Sequence, residues 1–231
     1  MKRFFLIITF PLLSIFCLIA QKTYTENGGE IILSFADVYY QGNSVPTKMR
    51  FTMFLHLGRQ RHFDFNDNVG IYSGFGLRNI GLITDQNNIV EKRRSYSLGV
   101  PAAFKIGSFS DHFYFFGGGE YEMLFHYKQK QKSDGTKLKY NEWFCDRTNR
   151  FVPSLFCGLQ FPGGINLKLK YYLRDFLNKD FRGEDFGRQM DYSDFGKSKI
   201  FYISLSFNLK TKDIKKLYDP QSRDVRFAEY R

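Results

Sequence analysis

Four histidines, His56, His62, His112 and His126, are the imidazoles with which the chain could do acid–base work. Acyl transfer or hydrolysis needs one of them beside a serine nucleophile, with an acid behind the ring to orient it. None has a serine two residues on, so only the fold could bring such a pair together. His56 and His126 stand at the ends of apolar stretches, where a lone histidine more often serves the structure. Cys145, Asp146 and Cys157 lack the paired spacing of a zinc site. Gly74-x-Gly76 followed by Gly81 departs from the dinucleotide fingerprint and has no strand–helix frame around it. The sequence therefore predicts no catalytic residue, no cofactor and no metal.

Two groups of charged residues remain. One is spread along the chain at positions that alternate with apolar ones: Arg50, His56, Arg78, Lys105, Glu120, Glu122, Lys168, Lys170 and Arg174. The other is dense. Lys130, Lys132, Lys137, Lys139, Arg147 and Arg150 fall in one polar stretch beside Tyr140, Trp143 and Phe144.

The elements that position both groups read as strands. The chain has five alanines against 27 Phe and 15 Tyr, a composition suited to pleated surfaces. Eight segments alternate with a period of two, at about 30–39, 48–58, 69–83, 94–107, 112–128, 151–161, 165–173 and 200–209. In the seventh, Ile165, Leu167, Leu169, Tyr171 and Leu173 alternate with Asn166, Lys168, Lys170 and Tyr172. In the second, Met49, Phe51, Met53, Leu55 and Leu57 oppose Arg50, Thr52, Phe54 and His56. In the fifth, Phe113, Phe115, Tyr121, Met123, Phe125 and Tyr127 oppose Gly118, Glu120 and Glu122. Pro101 predicts a bulge or an irregular pairing in the fourth.

Such alternation also suits a soluble sandwich. Three features favour a membrane barrel: segments of about ten residues or more, an almost unbroken apolar face, and connections of alternating length. Gly107-Ser108-Phe109-Ser110-Asp111 and Phe161-Pro162-Gly163-Gly164 are short turn formers, whereas 129–150 and 178–198 are long and polar. The connection near 59–68 is too long for this rule unless His62-Phe63-Asp64-Phe65 extends a neighbouring strand. The expected fold is all-β: an eight-stranded antiparallel transmembrane barrel with short periplasmic turns and longer extracellular loops.

Lys2-Arg3, an apolar run from Phe4 to Ala20 and a polar start at Gln21 read as a secretory signal peptide cleaved near Ala20. The run is short for a retained anchor. The expected organisation is signal peptide 1–20, barrel 21–210 and a charged periplasmic tail 211–231. Lysine and arginine number 34 against 23 acids; without Lys2 and Arg3 the balance is 32 to 23, or +9. In an outer membrane the matching anion is lipid phosphate rather than nucleic acid. Cys145 and Cys157 are expected as two free thiols.

Residues Gly74-Phe75-Gly76-Leu77-Arg78-Asn79-Ile80-Gly81, Tyr96-Ser97-Leu98-Gly99-Val100-Pro101-Ala102-Ala103-Phe104-Lys105 and Phe201-Tyr202-Ile203-Ser204-Leu205-Ser206-Phe207 resemble the PorT-like outer-membrane β-barrel family. The resemblance covers most of 28–210 and implies architecture rather than an activity. It also implies that Pro101 is a recurring feature of the fourth strand. The tail departs from it, since many such barrels end at the last strand.

The reading that follows is a non-enzymatic outer-membrane barrel serving membrane integrity, surface interaction or the assembly of a secretion apparatus. Its spread charges would form an ion-paired interior. In that reading Lys130, Lys132, Lys137, Lys139, Trp143, Arg147 and Arg150 contact lipid phosphates, lipopolysaccharide or an envelope protein. Because cations outnumber Glu120 and Glu122, a narrow anion path is a minor alternative. A lipid A-modifying enzyme and a soluble periplasmic barrel with an apolar ligand are the other two.

Overall fold

The computed structural model describes residues 21–86, 89–133 and 136–211. The expected signal peptide, its cleavage point and the tail beyond 211 lie outside the described residues.

Eight strands make the wall: β1 (Lys22–Tyr40), β2 (Leu57–Asp64), β3 (Val69–Gln86), β4 (Ile89–Ser108), β5 (Phe113–Ser133), β6 (Phe151–Gln160), β7 (Ile165–Tyr172) and β8 (Lys197–Lys210). Each pairs antiparallel with the next, and β8 pairs with β1, so the sheet closes on itself. Following paired residues from Phe35 through Phe201, Tyr171, Leu155, Gly119, Ala102, Ser73 and Arg61 returns to β1 at Thr25. That stagger of ten residues (35 to 25) over eight strands tilts them by roughly 40° from the barrel axis.

The pleat sorts side chains by parity. Phe75, Phe104, Leu155, Leu169 and Phe207 stand exposed on the outside, while Glu122, Lys105, Lys170 and Tyr202 are buried inside. A closed cylinder with hydrocarbon outside and charge inside leaves no ladder group for lipid to satisfy. It is the build of a transmembrane barrel. Turns at 65–68, 109–112 and 161–164 close one end. The long connections lie at the other, where the strand Thr136–Trp143 folds back on β5 and the connection after β7 turns inward. Phe176, Leu177, Tyr192 and Phe195 of that connection are buried against Ile80, Leu82, Leu124 and Tyr127, an apolar cap over the lumen.

Three departures from strict alternation have local causes. The residues His62-Phe63-Asp64 do extend β2, whose upper piece, Arg50–Thr52, is detached. Between the pieces Leu55 takes φ 60°, and Phe54, expected inside, is 76% exposed. In β5 a bulge falls where Tyr96 pairs His126 but Ser97 pairs Leu124, leaving Phe125 supernumerary. The bulge inverts the parity above it, so Tyr127, expected outside, is buried and Lys128 and Lys130 turn outward. Opposite Pro101, which has no N–H, the β3–β4 ladder skips Gly74 and Phe75. This is the irregular pairing expected of it.

Candidate functional site

Among the described residues, the membrane-spanning part of the lumen holds five buried acids, Glu26, Glu30, Asp64, Glu120 and Glu122, and five buried cations, Arg50, Arg78, Lys105, Lys168 and Lys170. The expected excess of cations is thus corrected. Glu26 and Glu30 come from the early part of β1, and Asp64 from the extension of β2. Sequence reasoning missed all three acids, although Glu26 and Glu30 share the parity opposite Ile31 and Leu33 that would have placed them inside.

At the centre, Arg78 Nε donates to Glu30 Oε2 at 3.0 Å and Arg78 Nη1 binds Glu120. Lys168 Nζ lies 2.6 Å from Glu30 Oε1, and Lys170 Nζ lies 2.7 Å from Glu120 Oε2 while also binding Glu122. Ser204 donates to Glu30 at 2.5 Å, Ser97 to Glu122 at 2.6 Å and Tyr172 to Glu122 at 2.9 Å. Three carboxylates and three cations neutralise one another, which is what burying them demands, since an uncompensated buried charge costs several kcal/mol. Gly99 makes the room: a Cβ there would stand 2.2 Å from Glu120 Oε1.

Nearer the turns, Lys105 Nζ sits 2.5 Å from Asp64 Oδ1 and donates to Tyr24 Oη at 2.9 Å and to His62 Nδ1 at 3.1 Å. The other ring nitrogen of His62 faces Glu26 Oε2 at 3.5 Å.

Arg50 and His56 do a third job. Residues 78–82 of β3 have no strand partner on the β2 side, because β2 pairs only up to Leu77 and a short strand resumes the pairing at Ile83. Side chains close the seam: Arg50 donates to Asn79 O at 3.0 Å and Asn79 Oδ1 at 2.6 Å, and His56 Nδ1 accepts from Asn79 N at 3.4 Å. His56 Nε2 therefore carries the proton and donates to Thr52 Oγ1 at 2.7 Å. A ring so committed cannot take a proton from that hydroxyl. His126 points outward, stacked on Trp143 with centroids 4.2 Å apart. Among the described residues, no group of three or more His, Cys, Asp or Glu could hold a metal ion.

Arg174, expected inside, is exposed and donates to Phe151 O at 3.4 Å. It lies two residues past the end of β7, where the pleat no longer fixes its side. Arg147, expected to reach phosphates, is 6% exposed. It locks the two long connections together, donating to Asp185 Oδ1 at 2.9 Å, Tyr140 Oη at 2.7 Å and Glu184 O at 2.5 Å between the rings of Tyr140 and Phe181. Asp185 also accepts from Gln129 at 3.1 Å and Tyr192 at 2.8 Å. Beside this lock the Cys145 thiol is pushed up to about 11 by burial and by its hydrogen bond to Glu142. Cys145 and Cys157 are both free. Arg150 is exposed and meets Asp146 at 3.4 Å.

Beyond the closed wall, at the end with the long connections, β3, β4, β5 and Thr136–Trp143 continue as one sheet. Its inner face carries Arg93, Tyr127 and Gln129, all buried. Its outer face is read in rows of cross-strand partners. Tyr96, His126 and Trp143 form an aromatic row; above it come Arg94 and Lys128, then Lys92, Lys130 and Lys139, then Lys132 and Lys137. These seven cations are exposed or half-buried, and none makes an ion pair among the described residues. Lys92, Arg94 and Lys128 are additions to the sequence reading, which took 129–150 as a loop and so missed the partners that strand pairing supplies.

No protein-family model matches the chain, and no curated protein does. Solved structures with some likeness include the attachment invasion locus protein Ail of Yersinia pestis in complex with the heparin analogue sucrose octasulfate, at 14% identity, covering 80% of this chain and 99% of that one, with a TM-score of 0.37. Neisserial surface protein A shares 8% identity over 81% of this chain and 96% of its own, with a TM-score of 0.41. The outer membrane protein OprG of Pseudomonas aeruginosa shares 11% over 82% and 97%, with a TM-score of 0.39. At such values nothing is carried from those proteins to this one.

Proposed function

We propose that this chain is a plugged, non-enzymatic barrel of a bacterial outer membrane, working through its extracellular sheet in membrane integrity, surface interaction or secretion-apparatus assembly. The observation that carries the reading is the inverted polarity of the closed wall, with ion-paired charge within and exposed Phe, Leu and Ile without. A soluble barrel would have to hold that apolar surface in water, far beyond the few hundred Å² that soluble monomers expose in one patch. The balanced ion pairs and the apolar cap leave an eight-stranded lumen filled. The PorT-like resemblance of the third, fourth and eighth strands fits the same reading.

The test is fractionation followed by electrophoresis with and without boiling. The chain should partition with the outer membrane and show a compact band that shifts on heating, and in planar bilayers it should give no steady conductance. Release without detergent would overturn the membrane placement, and steady conductance would overturn the plug.

A further inference from the structure

We infer that the outer face of the extracellular sheet binds the phosphates of lipopolysaccharide in the surrounding leaflet, an inference that rests on the outer-membrane placement proposed above. Lys92, Lys130 and Lys139 are direct cross-strand partners, and so are Lys132 and Lys137. Like charges set opposite one another on a sheet oppose its formation. Among the described residues no acid relieves them on that face: Asp85 at its corner is taken by Lys48 at 2.6 Å. An array that repels itself and faces outward is completed by a partner carrying several anions at matching spacing.

Height identifies the source of those anions. Tyr96, His126 and Trp143 stack in a row of amphipathic rings, with Lys128 Nζ 5.3 Å from the Tyr96 ring. Such rings mark the boundary between hydrocarbon and headgroups. Each cation row stands two residues higher along the strands. With the tilt found above, the rows climb the axis in steps of about 5 Å, to about 15 Å above the rings. An ordinary headgroup layer, only about 5–8 Å deep per side, would fall short of the top row. A lipid whose anionic groups continue upward through a sugar core reaches all three.

The test uses the full chain in detergent micelles, with heat-shifted migration verified for every variant. The probes are lipopolysaccharide, the same material stripped of phosphate, and dextran sulfate. Wild type should bind the intact lipopolysaccharide at least tenfold more tightly than the stripped form. The combined variant Lys92→Gln/Arg94→Gln/Lys128→Gln/Lys130→Gln/Lys139→Gln should lose at least that factor, and Arg150→Gln should lose none. Should the five-site variant not fold, Lys137→Gln/Lys139→Gln, confined to the strand outside the barrel wall, should still weaken binding threefold or more. Unchanged binding by the folded variants, equal binding of the stripped probe, or equal competition by dextran sulfate overturns the inference. Loss of the heat shift in wild type counts against the barrel reading instead.

Discussion

Among the described residues, five cations are set against five acids in the membrane-spanning lumen, and on the outer face of the extracellular sheet seven cations make no ion pair. Both sets ride on the same strands: β4 carries Lys105 inside and Lys92 and Arg94 outside, and β5 carries Glu120 inside and Lys130 outside. What differs is the solvent. Inside, no water can stand in for a missing partner, so composition is held to neutrality and even the hydroxyls of Ser97, Ser204 and Tyr172 are spent on carboxylates. Outside, water and salt screen each charge, and the sequence is free to accumulate one sign. Balanced charge belongs to structure here, and unbalanced charge to recognition.

The sharpest way to break this contrast is Glu120→Gln, which leaves Arg78 and Lys170 short of an acid in a sealed interior. Denaturant unfolding in micelles should show a loss of about 3–5 kcal/mol. A loss below about 1 kcal/mol would mean that water reaches the lumen. An intermediate effect is expected at the lock between the two long connections. Asp185→Asn takes the buried acid from Arg147, leaving it the more exposed Glu142 at 3.2 Å, and should cost about 1.5–3 kcal/mol, read as faster amide exchange in 173–196 while the barrel ladders stay protected.

Cys145 reports on the same place. Its thiol, held near 11, is protonated at neutral pH, so the folded chain binds that proton more tightly than the unfolded chain does. The stabilisation is complete below the unfolded value and is lost as pH rises through the folded one. Alkylation of Cys145 should therefore increase about tenfold per pH unit between pH 8 and 10, where an ordinary thiol levels off. Asp185→Asn, by loosening the lock, should raise the rate at pH 8. The smallest effect belongs to the outer face. Lys130→Gln should change stability by no more than about 0.5 kcal/mol, with a gain rather than a loss because a cross-strand repulsion goes. A loss above 1 kcal/mol would show Lys130 to be structural.

Where one rule governed the chain, the sequence was readable. Ile165 to Tyr172 alternate without interruption, and their strand ends within a residue of the expected place. The eight-strand count and the inward positions of Arg78, Lys105, Glu120, Glu122, Lys168 and Lys170 followed from the same period. The exceptions are local events that periodicity cannot express. Leu55 breaks β2 with a left-handed backbone, which throws Phe54 outward. Arg174 lies two residues beyond its strand. Arg147 looks like any basic loop residue until Asp185, 38 positions later, comes alongside. The basic stretch was visible as composition, but its organisation into rows was not, because the rows depend on partners in β4.

Phe125 illustrates how little separates these outcomes. A pleat repeats every two residues, so one extra residue is half a wavelength. Below it, even-numbered side chains of β5 look inward, Glu120, Glu122 and Leu124 among them; above it, the even-numbered Lys128, Lys130 and Lys132 look out. Deleting that one codon would restore an unbroken phase. Every side chain above it would keep its facing; were Phe125 instead taken into the ladder as an ordinary paired residue, the unbroken period would drive three ammonium groups under the apolar cap and strand Tyr127 and Gln129 on the surface. The electrostatic character of this outward-facing wall is thus a matter of timing along the chain as much as of which amino acids it contains.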